Sequence, residues 1–219
     1  MSTLPGPGLA DLHHAIRPAR HKPLGALVLL HGRAVSEEDL IPLFDVLDPD
    51  RRLIGIAPRG PLQFPPGGYH WYAPSKLGSP DPDSFAETYE RVNTWLEQLS
   101  AAISVLPHKT VLGGFSQGAV LAYALSVDRM RPRPAGVLAM SGFLPHELEL
   151  DPETVKGLPV LITHGSEDPI IPVAEGRQAR DRLEAAGAQV EYLESPVPHA
   201  VDPAHTEPIK RWIGERLRL

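Results

Sequence analysis

Five residues constrain this chain more than any others: Gly114-Phe115-Ser116-Gln117-Gly118, set between two apolar runs. Val111 and Leu112 before them are β-like, and Ala119 to Leu125 after them suits a buried helix. A serine between glycines at a strand-to-helix junction is the pattern of a nucleophile elbow. So sharp a turn leaves no room for side chains on either side of the serine, hence the two glycines. The helix that begins there aims its N–H groups and positive dipole end at the space where an oxyanion would form. In another setting the same residues would be a glycine-rich turn with a serine cap. The flanking runs favour the elbow, and an elbow needs a buried strand with a helix packed on it.

The rest of the chain supplies such a sheet. Residues 24–30 are almost continuously apolar, as in a strand buried on both faces. Ser36, with Asp39 three residues on, opens a helical pattern whose apolar face is Leu40, Ile41, Leu43, Phe44 and Leu47. Residues 53–57 read as a strand, and residues 58–82 as a long loop rich in proline, glycine and aromatics. Ser84 and Glu87 predict a second capping box, opening a helix with Phe85, Tyr89, Val92, Leu96, Leu99 and Ile103 on one face. Further strands are predicted over 135–140, 158–163 and 189–193. A helix is predicted over 175–186, closed by Gly187, and a last one turns Ile209, Trp212, Ile213 and Leu217 inward. This order implies an α/β protein, a mostly parallel sheet with helices on both faces.

The chain of 219 residues shows no repeat or linker and reads as one domain over 1–219, with residues 1–10 irregular and mobile. Only residues 141–157 separate two of the strands. That is too short for a lid domain, so a shallow, open site is expected.

Composition narrows the function. Apolar residues make up 42% and charged residues 22%, an ordinary globular balance. A net charge of -6 argues against nucleic acid or an anionic membrane as partner. The absence of cysteine excludes disulfides, a cysteine nucleophile and thiolate zinc sites. His13-His14 has no later ligand at a metal-binding spacing and reads as a surface pair, so no metal or organic cofactor is expected. The first twenty residues carry Asp11, Arg17 and Arg20 without an apolar core, and no run reaches spanning length. The expectation is a cytoplasmic protein without stable membrane insertion.

A serine nucleophile needs a base, and the base an orienting acid. In α/β-hydrolase order both follow the serine, in loops at the C-terminal ends of strands. Asp168 lies in the loop after residues 158–163, and His199 in the loop after residues 189–193. Ser116, Asp168 and His199 therefore form the candidate triad. Glu167 is the alternative acid. His205 is the alternative base, but it reads as a surface residue. His164 reads as a histidine hydrogen-bonded within its loop. The oxyanion donors expected are the backbone N–H groups of Gln117 and of Arg33, the latter in the loop His31-Gly32-Arg33-Ala34. A substrate pocket is expected from Trp71, Tyr72, Phe143 and Leu144.

The motifs H-G-R (31–33), A-P-R-G-P (57–61), G-G-Y-H-W-Y (67–72), G-F-S-Q-G (114–118), H-G-S-E-D (164–168) and P-H (198–199) occur in one order. In that order the chain resembles the phospholipase/carboxylesterase family of α/β-hydrolases, from about Leu24 onward. The family contains bacterial carboxylesterases, the nearer match, and acyl-protein thioesterases. The resemblance implies the α/β-hydrolase fold, the Ser116-Asp168-His199 triad and the Arg33 and Gln117 donors. The chain departs from the family at Ala34, where a second glycine is common, and at Pro198, where a glycine usually precedes the histidine. The activity implied is hydrolysis of small to medium carboxylic esters through an acyl-enzyme. Acyl-protein thioesterase or lysophospholipase-like activity is the alternative within enzymes, and a ligand-binding protein retaining the fold is the alternative outside them. The partner expected is a small-molecule ester, and a homodimer is in keeping with the family.

Overall fold

The computed structural model describes residues 12–219. The mobility expected of residues 1–10 lies outside the described residues. In chain order the strands are β1 (His14–Arg17), β2 (Ala26–Leu30), β3 (Ile54–Pro58), β4 (Leu62–Gln63), β5 (Tyr69–His70), β6 (Thr110–Phe115), β7 (Gly136–Met140), β8 (Pro159–Gly165) and β9 (Gln189–Ser195). The helices are α1 (Ile41–Leu47), α2 (Pro82–Ile103), α3 (Gln117–Val127), α4 (Pro152–Val155), α5 (Val173–Ala185) and α6 (Thr206–Leu217). Seven strands form one sheet in the order β1-β3-β2-β6-β7-β8-β9. β1 runs antiparallel to β3, and every other pair in that sheet is parallel.

Side chains alternate across the sheet and meet a helix layer on each face. Val28, Leu30, Ile56 and Leu112 pack with Val92, Trp95 and Leu99 of α2 and with Val120, Leu121 and Leu125 of α3. Leu27, Leu29, Val111 and Leu161 face the other way, against Phe44 and Leu47 of α1 and Ile209, Trp212, Ile213 and Leu217 of α6. Each such side chain contributes about 1.5–3 kcal/mol on burial. This double burial is why β2 and β7 read as unbroken apolar runs.

Three local readings are corrected. The strand predicted from residue 24 begins at Ala26, because Leu24 stands exposed before it. The cap of α2 is Asp81, one turn before Ser84: Asp81 Oδ1 accepts the Ser84 N–H at 3.0 Å, and Pro82 takes the first helical position. His13-His14 is no surface pair in full. His14 opens β1, half-buried, with its ring 5.8 Å from that of Trp95. Hydropathy conceals β1 because it carries a buried Arg17. The guanidinium pairs with Asp48 at 2.9 Å and donates to the carbonyls of Leu53 and Phe44 at 3.0 Å.

The long loop after β3 holds the β4–β5 hairpin. Ala34 N–H donates to the Tyr69 carbonyl, and Tyr69 N–H to the Val35 carbonyl, each at 2.8 Å. Arg59 grips Glu37 with two hydrogen bonds of 2.5 and 2.7 Å. These contacts fasten the hairpin to the loop between β2 and α1, beside the C-terminal ends of the central strands.

Candidate active site

Ser116 sits between the end of β6 and the start of α3 with φ 53° and ψ -119°. An L-residue there stores on the order of 1–3 kcal/mol of strain. The surroundings hold it in place. Ser116 N–H donates to the Met140 carbonyl at 2.9 Å, and its own carbonyl accepts from Ala119 at 3.0 Å. A Cβ on Gly114 would stand 2.4 Å from the Gly118 carbonyl carbon, and one on Gly118 would stand 2.0 Å from the Leu30 oxygen. Both motif glycines are therefore required by close packing of α3 on β6 and β2.

Asp168 and His199 meet across adjacent loops. The Asp168 side chain is fully buried. Its Oδ1 accepts the N–H groups of Ile170 at 2.8 Å and Ile171 at 2.9 Å. Its Oδ2 lies 2.6 Å from His199 Nδ1. A carboxylate only accepts, so Nδ1 carries the proton and Nε2 presents a lone pair. The loops are joined by hydrogen bonds from Ser166 N–H to the Ser195 carbonyl at 2.8 Å and from Glu167 N–H to the Val197 carbonyl at 3.2 Å. The Phe115 ring, next to Ser116, packs 4.8 Å from the His199 ring. Ser116 and His199 line one cavity. Glu167 is exposed. His205, read from the sequence as a surface residue, is buried in a turn of 3-10 helix before α6 and does not line that cavity. Asp202 caps that turn, accepting the Ala204 N–H at 2.8 Å.

Arg33 and Gln117 also line the cavity. Gln117 is the first residue of α3, where a backbone N–H has no intrahelical acceptor. Two side chains that sequence reading passed over shape this region. His31 is wholly buried. Its Nε2 accepts the Gly60 N–H at 2.9 Å, so Nδ1 donates to the Gly32 carbonyl at 2.6 Å. Burial pushes its imidazole below the ordinary 6.5, in keeping with that neutral form. The Gln117 amide ties α3 to residues 71 and 72 of the long loop, accepting from Trp71 N–H and donating to the Tyr72 carbonyl. A polar side chain inside an apolar elbow was the available signal.

The cavity measures about 880 Å³. Tyr72 and Phe143 line it, with Leu40, Leu43, Phe64 and Ile171. Trp71 and Leu144, expected there, do not. The Trp71 indole is turned inward, where Nε1 donates to the His31 carbonyl at 2.7 Å, and Leu144 packs with Ala119 and Tyr123 in the core. Residues of the 74–80 segment and of α1 also line the cavity. The Arg33 guanidinium lies 4.7 Å over the Phe64 ring. Among the described residues no group of three or more histidine or acidic side chains could hold a metal ion. No helix there is long and apolar enough to cross a membrane.

A mostly parallel sheet with a strained serine at the tip of a central strand defines an α/β-hydrolase fold. The chain belongs to the phospholipase/carboxylesterase family, whose model matches residues 12–215. The carboxylesterase of Bacillus cereus superposes with a TM-score of 0.83 at 22% identity, covering 94% of this chain and 95% of that one. Esterase PE8 gives 0.83 at 25% identity, covering 93% and 98%. In sequence the chain is 30% identical over 150 residues to carboxylesterase SOBER1 of Arabidopsis thaliana, covering 66% of this chain and 65% of that protein. It is 26% identical over 147 residues to acyl-protein thioesterase 1 homolog 1 of Dictyostelium discoideum, covering 63% and 65%. These matches thus span just under two thirds of the curated relatives' length.

Proposed function

We propose that this protein, as one α/β-hydrolase domain, is a serine carboxylester hydrolase acting on small to medium esters in the cytoplasm. The observation that carries the reading is the 2.6 Å contact of buried Asp168 with His199, set at the same cavity as the strained Ser116. His199 Nε2 takes the proton of Ser116 Oγ as that oxygen attacks the ester carbonyl carbon. The carbonyl oxygen becomes an oxyanion and accepts from the N–H groups of Gln117 and Arg33. One such donor is worth on the order of 2.7–4 kcal/mol in other serine hydrolases. The C–O bond to the alcohol then breaks, and His199 returns its proton to the departing oxygen. Water, deprotonated by His199, repeats the attack on the acyl-enzyme, releasing the acid and restoring Ser116. Asp168 holds the tautomer throughout and balances the transient imidazolium. All the groups this sequence of steps requires belong to the chain.

The largely apolar cavity wall and the named relatives also support acyl thioesters as substrates. Rapid-quench hydrolysis of a p-nitrophenyl ester series, run beside the matching acyl thioesters, tests both. The expected result is a burst of one p-nitrophenol per enzyme, with turnover highest on short and medium acyl esters. Turnover confined to long acyl thioesters would replace the ester reading, and no turnover of either would overturn both.

A further inference from the structure

We propose that His164, which the catalytic scheme leaves unused, is a positioning residue that sets Asp168 for His199. This rests on the reading of Asp168 and His199 as the acid–base pair.

His164 lies near the end of β8, and its side chain is as fully buried as that of Asp168. Its Nε2 is 2.9 Å from the Ile171 carbonyl oxygen and 3.6 Å from Asp168 Oδ2. A carbonyl only accepts, so Nε2 carries the proton and donates to Ile171. The N–H of the same Ile171 donates to Asp168 Oδ1 at 2.9 Å. One residue thus links the two side chains: His164 grips its carbonyl, and Asp168 is gripped by its amide. Pro172 follows at once as the N-terminal cap of α5, so the segment has little freedom beyond that point.

The other ring nitrogen points to the same role. His164 Nδ1 is buried without a hydrogen-bond partner. It faces Gly176 of α5, where a Cβ would come within 2.6 Å of it. A proton on Nδ1 would be a buried donor with no acceptor. The ring's one hydrogen bond goes to the Ile171 carbonyl, and 3.6 Å to Asp168 Oδ2 is too long for a second, so it does not compete with His199 for the carboxylate. The charged groups around it are few. Asp168 is in its own loop, and its Oδ2 lies 2.6 Å from His199 Nδ1 and 3.6 Å from His164 Nε2. Glu194 of β9 is in register with His164, and Arg177 of α5 neutralises it at 2.6 Å.

The test compares His164→Leu, which keeps bulk and removes the donor, with His164→Gln, which returns an amide N–H near the Nε2 position. In folded His164→Leu, kcat on a neutral p-nitrophenyl ester should fall by roughly 10- to 100-fold, since an acid displaced by about 1 Å costs that much. KM should hold. The acid limb of kcat/KM should move to lower pH, because a displaced Asp168 stabilises the His199 imidazolium less. His164→Gln should recover most of both. A lowered melting temperature with unchanged kcat and an unmoved pH limb would show a purely structural residue and overturn the proposal. Nitrogen-15 NMR of the wild-type histidines gives a second readout that needs no variant. His164 should show its proton on Nε2, hydrogen-bonded to the Ile171 carbonyl. The opposite tautomer, with Nδ1–H and a bare Nε2, overturns the proposal. Retained activity in His199→Ala would instead defeat the acid–base reading itself.

Discussion

Gln117 holds Trp71 through its side-chain amide: Oε1 accepts the Trp71 N–H at 3.1 Å, while Nε2 donates to the adjoining Tyr72 carbonyl at 3.0 Å. The residue proposed to give an oxyanion donor from its backbone thus also fixes a wall of the cavity with its side chain. Gln117→Leu keeps the backbone N–H but strands two buried backbone groups. The variant should lose about 1–3 kcal/mol of stability. Its KM should rise more than its kcat falls, because the wall at Tyr72 loosens. Urea denaturation and steady-state kinetics measure both, and wild-type stability would show that the amide pair carries no weight.

Asp168→Asn should leave the protein folded and slow ester hydrolysis by about 10³- to 10⁴-fold, because an amide cannot hold the His199 tautomer that the base needs. Glu167→Gln, at an exposed side chain, should change the rate little. The reverse ranking would make Glu167 the acid.

Ala34 adopts φ 66°, the left-handed region, at the position where the family commonly has glycine. Alanine there costs about 1–2 kcal/mol, and glycine gives back part of that gain as chain entropy. Ala34→Gly should stabilise the protein by roughly 0.5–1 kcal/mol. A lowered urea midpoint would mean that the loop has another reason for its path.

Glu37 contributes to the pH dependence of stability. Burial pushes its carboxyl up, but the hydrogen bonds and charge of Arg59 outweigh that and hold it below the ordinary 4.5. A depressed carboxyl stabilises the fold above its unfolded value and ceases to do so as pH falls through its folded value. Stability should therefore drop as pH falls below about 4.5, where this buried carboxylate beside Arg59 loses its charge. In Glu37→Gln that part of the drop should vanish. An identical acid limb in both proteins would assign the effect to other carboxylates.

The parts of this molecule legible in its sequence are those that packing dictates locally. The runs before and after Ser116 and the glycines beside it have a single steric solution, and Asp168 and His199 stand where strands end. What stayed hidden depends on partners distant in sequence. β1 carries a buried Arg17 satisfied by Asp48, so its hydropathy resembles a loop. Trp71 belongs to the core because His31 and Gln117, about forty residues away on either side, take its two N–H groups. Part of the cavity lining comes from the 74–80 segment, whose proline- and glycine-containing sequence carries no period to read. His205 is buried in the turn that leads into α6, which no local pattern shows.

The central claim is that Ser116 is the nucleophile. Wild-type protein and Ser116→Ala, matched by circular dichroism, should be treated with a fluorophosphonate and analysed by intact-mass and peptide spectrometry. The wild type should gain one phosphonyl group on the peptide carrying Ser116 and lose its ester hydrolysis in proportion. Ser116→Ala should take up none and should hydrolyse the ester at least about 10⁴-fold more slowly, since binding and oxyanion stabilisation alone remain. Labelling at another residue, or near-normal turnover by Ser116→Ala, would contradict the assignment.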